Sequence, residues 1–391
     1  MDGTRIAFLY ATAGSGHEHC ARALKECLNA YPQAGVNAFS KELSADIFPF
    51  FGPLVAQFYL ELIGRAPGIW NYVYDDPWVE TIVQKFQNII HSLNQEKICR
   101  ALNIWNANAF VCTHALACGL ISRQKRKIKS DWPLVAVITD FDVHRYWIYP
   151  EVDLYITANI SSKTRLIRAG IPNDKIKVLG IPTYADFSLR AMSKDQSRRA
   201  LNFLPDAPTV LIMGGSSGLG PIAEITKQLI SKCRQIQVIA IAGRNNSLAQ
   251  ELLRINHPRL RVYDYTSNIS SLMDAADLLI TKPGGVSCAE ALAKRLPLVL
   301  LNPIPGQEDR NAAYLKDEGA ALMVRNPREI SKIIDELLRR PELLEPLSQA
   351  AKRIAQPHAA QNAVTQIIGL VKGDADYRSQ LKIEPSKFLI R

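Results

Sequence analysis

Short apolar runs, each closed by a glycine-rich or polar turn and followed by a helical pattern, recur from one end of this chain to the other. Strands that alternate with helices run parallel, and strands covered on both faces read as unbroken apolar runs. The pattern therefore predicts an α/β fold built on parallel sheets. In a first half the expected strands are Ile6–Ala11, Ala109–Thr113, Leu134–Thr139, Leu154–Ala158 and Val178–Gly180. In a second half they are Thr209–Met213, Gln237–Ala242, Arg261–Tyr263, Leu278–Ile280, Leu298–Leu301 and Ala321–Val324. Glu18–Ala30 reads as a helix with Ala21, Leu24, Cys27 and Leu28 facing inward, and residues 79–105 read as a long amphipathic helix. A chain of 391 residues exceeds one typical core. The polar stretch 186–207 marks a boundary, giving domains 1–190 and 191–372, then a loose tail 373–391. Two such halves in tandem are expected to form a cleft, with ligands at the carboxyl ends of the strands.

The stretch Thr281-Lys-Pro-Gly-Gly-Val-Ser-Cys-Ala-Glu290 carries the most chemistry. Pro283, Gly284 and Gly285 break a strand, and a helix is expected to restart at Ser287. A glycine-rich turn entering a helix leaves backbone N–H groups open to a diphosphate at the positive helix end. Glu290 is expected in the first turn, where its carboxylate accepts from two neighbouring hydroxyls, as on a ribose. Gly214-Gly-Ser-Ser-Gly218 is a second turn, in which Gly215 and Ser216 suit a phosphate or sugar, against the plain alternative of a tight turn. Gly218-Leu-Gly-Pro-Ile-Ala223 fits a dinucleotide pattern in form only. The next strand ends in Gly243-Arg244 without the acidic residue that an adenosine ribose requires. No P-loop pattern occurs.

Gly14-Ser-Gly16-His17-Glu-His19 follows the first strand. His17 lies near a helix N-terminus, where the dipole disfavours protonation and keeps the imidazole neutral, as a general base requires. The alternative is a polar turn residue without chemistry. His17 and His19, two apart, are poor metal-ligand spacing on a helix. Thr139-Asp-Phe-Asp-Val-His144, with Trp147, ends a buried strand. Asp140 there either orients a base, binds an acceptor or serves as a turn cap.

The net charge of +10 suits phosphorylated substrates, anionic membrane or nucleic acid, and much of it lies in Arg123, Lys125, Arg126, Lys127 and Lys129. No zinc-finger, homeodomain or RNP pattern supports nucleic acid. Seven scattered cysteines without a C-x-x-C pair fit reduced cytosolic thiols. No signal peptide and no apolar run long enough to span a bilayer is seen, so any membrane contact is expected to be peripheral. Residues 46–80 are dense in aromatics, including Trp70, Tyr74 and Trp78, and are broken by prolines.

These motifs carry a family likeness. Thr281–Glu290 with Pro303-Ile-Pro-Gly-Gln-Glu-Asp-Arg-Asn311 resembles the glycosyltransferase family 28 nucleotide-sugar domain. The Gly14-Ser-Gly-His17 turn, the aromatic segment before Trp78 and Thr139–Trp147 resemble the monogalactosyldiacylglycerol synthase N-terminal domain. The likeness covers about residues 4–370 and is greatest to plant galactolipid synthases and bacterial processive diacylglycerol glucosyltransferases. It implies a GT-B fold, two Rossmann-like domains with parallel sheets facing a cleft, and an inverting transfer that needs no metal and no cofactor. The donor implied is UDP-glucose or UDP-galactose, and the acceptor diacylglycerol. By position, Gly284, Gly285 and Val286 would meet the diphosphate, Lys282, Pro283 and Ser287 would belong to the same nucleotide-sugar site, and Glu290 would hold the ribose. Gln307 and Glu308 would hold the hexose hydroxyls, Asn311 would belong to the nucleotide-sugar site, and Gly243, Arg244, Ser267, Asn268 and Ile269 would lie near the uracil. His17 would be the base.

A diacylglycerol acceptor further implies peripheral association with the inner face of the cell membrane. Gly14, Gly16, Trp70, Tyr74, Trp78, His144 and Trp147 are expected on the acceptor or membrane side, and the basic run at 123–129 on anionic headgroups. The competing readings are a transferase acting on a polyprenyl-linked or other hydrophobic acceptor, and a UDP-sugar epimerase.

Overall fold

The computed structural model describes residues 4–11, 15–43, 94–188, 192–301, 303 and 306–373. Gly14, Trp70, Tyr74, Trp78, the rest of the aromatic segment and the tail beyond Gly373 lie outside them. So does most of the expected helix 79–105, of which Gln95–Trp105 is described.

Two compact units emerge. The first comprises residues 1–184, 304–307 and 358–391, the second 185–303 and 308–357. The division thus falls at Tyr184/Ala185 rather than at 190/191. The helix Ala359–Lys372 groups with the first unit, not with the domain 191–372, because it packs on the helix Ser15–Asn29.

The first unit holds a six-stranded parallel sheet. In chain order its strands are β1 (Thr4–Tyr10), β2 (Val36–Glu42), β3 (Ala109–Cys112), β4 (Leu134–Val137), β5 (Leu154–Thr157) and β6 (Ile176–Val178), arranged 2-1-3-4-5-6. Strands β3, β4 and β5 are buried along their whole length, which is why each reads as an unbroken apolar run. Strand β2, Val-Asn-Ala-Phe-Ser-Lys-Glu, escapes that signature: it is the sheet edge, only partly covered, and mixes polar with apolar residues. Helix α1 (Ser15–Asn29) follows β1, and α2 (Gln95–Trp105) precedes β3. Helix α3 (Ala115–Ile128) follows β3 and α4 (Ile160–Arg168) follows β5.

The second unit has its own six-stranded parallel sheet. Its strands are β7 (Thr209–Met213), β8 (Gln237–Ile241), β9 (Leu260–Tyr263), β10 (Leu278–Thr281), β11 (Leu298–Leu301) and β12 (Ala321–Val324), arranged 12-11-10-7-8-9. All six were expected to within a residue or two. Helix α5 (Lys194–Ala200) precedes β7, and Arg198 pins it by donating to the Ala275 and Pro205 carbonyls. Helices α6 (Ile222–Lys232), α7 (Asn246–Leu253), α8 (Ile269–Ala275), α9 (Gly285–Ala293) and α10 (Gln307–Asp317) follow β7 to β11 in turn. After β12 come α11 (Ile330–Arg339), α12 (Pro341–Ile354) and α13 (Ala359–Lys372). Among the described residues no helix is long and apolar enough to cross a membrane.

The strand orders fix where each sheet has its switch point. In an open parallel sheet the crevice opens where neighbouring strands send their connections in opposite directions. In the first sheet that point lies between β1 and β3, and in the second between β7 and β10.

Candidate active site

The first switch point brings together residues far apart in sequence. His17 is the third residue of α1, just past the end of β1. Thr113 and His114 follow β3, and Thr139 and Asp140 lie just past the end of β4. His17 Nδ1 stands 2.8 Å from the Thr113 carbonyl oxygen, which accepts, so Nδ1 carries the proton. The Thr139 hydroxyl oxygen shares the same N–H at 2.9 Å. The Thr113 hydroxyl in turn donates to the His17 carbonyl at 2.8 Å, tying the first turn of α1 to β3. With Nδ1 committed, Nε2 is the nitrogen with a lone pair. Burial pushes the His17 pKa down to about 4, against the smaller opposing pull of the Thr113 hydrogen bond. The neutral imidazole anticipated from the helix dipole thus has burial as its main cause.

His114 was not singled out by sequence. It caps α3, accepting the Leu116 N–H at Nδ1, 3.1 Å away, and its ring stands edge-on to that of His17, centroids 4.6 Å apart. Burial, then the charge of His17, holds its pKa well below the ordinary histidine range. Two imidazoles at this spacing resist double protonation, and it is His114 that gives way, remaining neutral while His17 titrates. Only the pairing of β1 with β3 reveals the neighbourhood, and the sequence signal was no more than a polar Thr-His after an apolar run. His19 turns toward Tyr184 instead.

Asp140 is buried beside Thr139. His144 caps the short 3₁₀ turn Arg145–Trp147 through the Tyr146 N–H. Trp147, expected on the acceptor or membrane side, is instead a core residue of the first unit, because that turn folds it beneath α3. The basic run also differs from expectation. Lys125 pairs with Asp153, Arg126 with Glu151, Lys127 donates to Gln95, and Arg123 stacks over Tyr149. These cations hold α3 to its neighbours and are largely committed within the fold.

The second switch point carries the glycine turns. Helix α9 begins at Gly285 with Gly284 as its N-cap, two residues earlier than expected, and no side chain caps it. The N–H groups of Gly285, Val286 and Ser287 therefore open the helix without an internal side-chain acceptor at the cap. The early start moves Glu290 out of the first turn into the second, where it is 6% exposed. Burial, and secondarily the nearby Asp186, raises its pKa to about 8.

The turn after β7 interlocks with the end of β8. The Arg244 N–H donates to the Ser216 carbonyl at 2.7 Å. Gly218 has a φ of +58°, and a Cβ there would stand 2.1 Å from the Ala242 carbonyl oxygen. Gly218→Ala is therefore expected to cost about 2 kcal/mol or more and to lower the melting temperature, read by thermal denaturation. Lys282 runs past Gly215, its Cε 3.1 Å from the position of a Cβ on that residue, and its ammonium meets Glu308 of α10 at 2.6 Å. Asn311, fully buried, donates to the Pro283 carbonyl at 3.1 Å and so shapes the turn. Gln307 opens α10. Beyond β8 and β9, the Arg244 guanidinium lies 4.7 Å over the ring of Tyr265, a residue that sequence reading passed over. Ser267 and Asn268 are exposed beside it, and Ile269 starts α8. Among the described residues no group of three His, Cys, Asp or Glu side chains is placed to hold a metal ion.

Comparison with known proteins falls on the same two units. Residues 17–183 match the monogalactosyldiacylglycerol (MGDG) synthase family, and residues 209–367 match the glycosyltransferase family 28 C-terminal domain. A processive diacylglycerol beta-glucosyltransferase of Bacillus cereus (strain G9842) is 28% identical over 370 residues, 93% of each chain. The protein of the same description from Bacillus mycoides (strain KBAB4) is 27% identical over the same span. Among solved structures, Acinetobacter baumannii MurG superposes with a TM-score of 0.59 at 16% identity, over 95% of this chain and 99% of that one. S. aureus MnaA with UDP superposes with a TM-score of 0.61 at 12% identity, over 94% and 97%. These structural likenesses speak to the fold.

Proposed function

We propose that this chain, whose halves belong to the MGDG synthase family and the glycosyltransferase family 28 C-terminal family, transfers a hexose from a UDP-sugar to diacylglycerol with inversion. The observation that carries the reading is the placement of the two expected motifs, each at the switch point of its own sheet. The relatives named diacylglycerol glucosyltransferases share nearly the whole chain, which favours this acceptor over a polyprenyl-linked one. The fold is also found in UDP-N-acetylglucosamine 2-epimerases, so architecture alone does not separate transfer from epimerisation; the full-length relatives do.

The chemistry needs one base and one stabilised leaving group. The diacylglycerol hydroxyl oxygen bonds to the anomeric carbon as its proton passes to His17 Nε2 and the bond to the UDP oxygen breaks, the electron pair leaving with UDP. Thr113 and Thr139 hold His17 in the reactive tautomer. The N–H groups that open α9, with Lys282 close by, meet the charge developing on the diphosphate. Glu290 takes the ribose hydroxyls, Gln307 and Glu308 the hexose, and Arg244 with Tyr265 and the 266–269 loop the uracil. Asn311 acts through the shape of the turn. Because protein groups supply the leaving-group charge, EDTA is expected to leave the rate unchanged.

A diacylglycerol acceptor stays in the bilayer, so the enzyme works at a membrane surface, on the cytoplasmic side where UDP-sugars are made. The direct test supplies diacylglycerol liposomes with UDP-glucose and UDP-galactose in turn and identifies the lipid product by mass spectrometry. A hexosyl-diacylglycerol of inverted anomeric configuration is expected. Release of free sugar or a 2-epimerised donor, with no glycolipid, would replace this reading.

A further inference from the structure

Helix α9 has a second end, and a cavity of about 430 Å³ opens there, away from its glycine turn and wholly within the second unit. Three separate stretches line it: Phe187 and Ser188 just after the unit begins, Lys294 and Arg295 at the close of α9, and Ser348 and Lys352 on α12. No carboxylate lines it, and three cations do. Lys294 is buried and its ammonium is held by Asp274 at 3.0 Å, so its charge is balanced. Arg295 and Lys352 are exposed, and no ion pair within the protein neutralises either among the described residues.

The backbone at Arg295 lies in the left-handed region, as it does at Lys129 at the end of α3. Helix α9 ends in a Schellman turn: the Arg295 N–H bonds the Leu292 carbonyl and the Leu296 N–H bonds the Ala291 carbonyl, both at 2.9 Å. The residue following the C-cap in that motif sits in the left-handed region, a place for glycine. Arg295 sits there with φ +58°. A non-glycine residue in that region carries strain, and such strain concentrates where a side chain has work to do. The Ser348 hydroxyl donates to the Arg295 carbonyl at 3.0 Å, fastening the strained turn to α12 and setting Arg295 and Lys352 on the same cavity.

We propose that this cavity is a second anion site, accepting a phosphate group between Arg295 and Lys352, distinct from the glycine turn at the other end of α9. A guanidinium binds phosphate oxygens through a planar donor pair and an ammonium as a point charge, so the two together suit one phosphate. The phosphate arrives either on a soluble molecule or on an anionic lipid headgroup.

The test uses the full chain saturated with UDP, so that the glycine turn is already filled. Inorganic phosphate is titrated against chloride at matched ionic strength. At roughly ten times the dissociation constant, the wild-type melting temperature is expected to rise by about 2 °C. Arg295→Gly is expected to melt at the same or a higher temperature without phosphate, because glycine relieves the backbone, and yet to show no phosphate shift. Lys352→Ala, an exposed change, is expected to lose most of the shift. Co-sedimentation with phosphatidylcholine vesicles, with and without phosphatidic acid, separates the sources. Phosphatidic-acid-dependent binding that Arg295→Gly abolishes assigns the site to a lipid headgroup; vesicle binding indifferent to the substitution, with the phosphate shift intact in wild type, assigns it to a soluble phosphate. No phosphate shift in wild type, or an equal shift in both variants, overturns the proposal.

Discussion

His17→Ala lowers kcat for glycolipid formation by about 10²–10⁴-fold while leaving UDP affinity unchanged, as expected of a group that handles only the acceptor proton. The pH profile is the sharper readout. An ordinary histidine base would impose an acid limb near pH 6.5. Burial lowers the His17 pKa to about 4, so its neutral form dominates throughout the neutral range. At saturating UDP-sugar the rate is expected to stay flat as pH falls through 6.5 and to drop only on approach to 4. A limb at 6.5 in the wild type, or transfer by His17→Ala at the wild-type rate, would remove His17 from the role.

That reading of His17 was only half available from sequence. The residue after the first strand was legible, because a buried parallel strand leaves an unbroken apolar run and its glycine-rich exit is conspicuous. The company it keeps was not. Thr113 and His114 lie nearly a hundred residues away, and only the sheet order 2-1-3 sets them beside α1. The same limit explains β2, whose edge position leaves no apolar run, and Trp147, an aromatic whose burial depends on how a short 3₁₀ turn folds under α3. In the second unit legibility was higher, because most of its strands are apolar and the turns after β7, β8, β10, β11 and β12 carry glycine or proline, although β9 contains Arg261 and exits through Asp264-Tyr-Thr-Ser-Asn268. Even so, helix α9 began two residues early. Gly285 has poor helix propensity, but Gly284 suits the N-cap position, and the helix starts directly after it. The basic run at 123–129 shows another limit. Charge alone suggested a surface for headgroups, whereas Asp153 and Glu151, distant in sequence, had already claimed two of its cations.

Glu290 carries the second large expected effect, and here affinity and stability move in opposite directions. Its folded-state pKa of about 8 lies above the ordinary carboxyl value, so the ligand-free protein at pH 7 holds it mostly protonated. Two ribose hydroxyls donating to it favour the anion, which lowers its pKa in the complex and couples donor binding to proton release. UDP-glucose affinity is thus expected to rise with pH from about 6 to 8 and level off above that, and calorimetry in buffers of different ionisation enthalpy would detect the released proton. Glu290→Gln is expected to weaken UDP-glucose binding about 10–100-fold, the effect of degrading two charge-assisted hydrogen bonds, and to abolish the proton release. For stability the sign reverses. A carboxyl whose folded pKa is raised binds more protons folded than unfolded, so the protein loses stability as pH rises from the ordinary carboxyl range toward 8. Glutamine has no charge to bury. The variant is therefore expected to be more stable than wild type without ligand at pH 8, by on the order of 1–3 kcal/mol, and equal to it near pH 4. A variant that binds donor poorly but melts higher would mark Glu290 as a ribose ligand held at a cost to the fold. One that binds poorly and melts lower would mark it as a packing residue of α9.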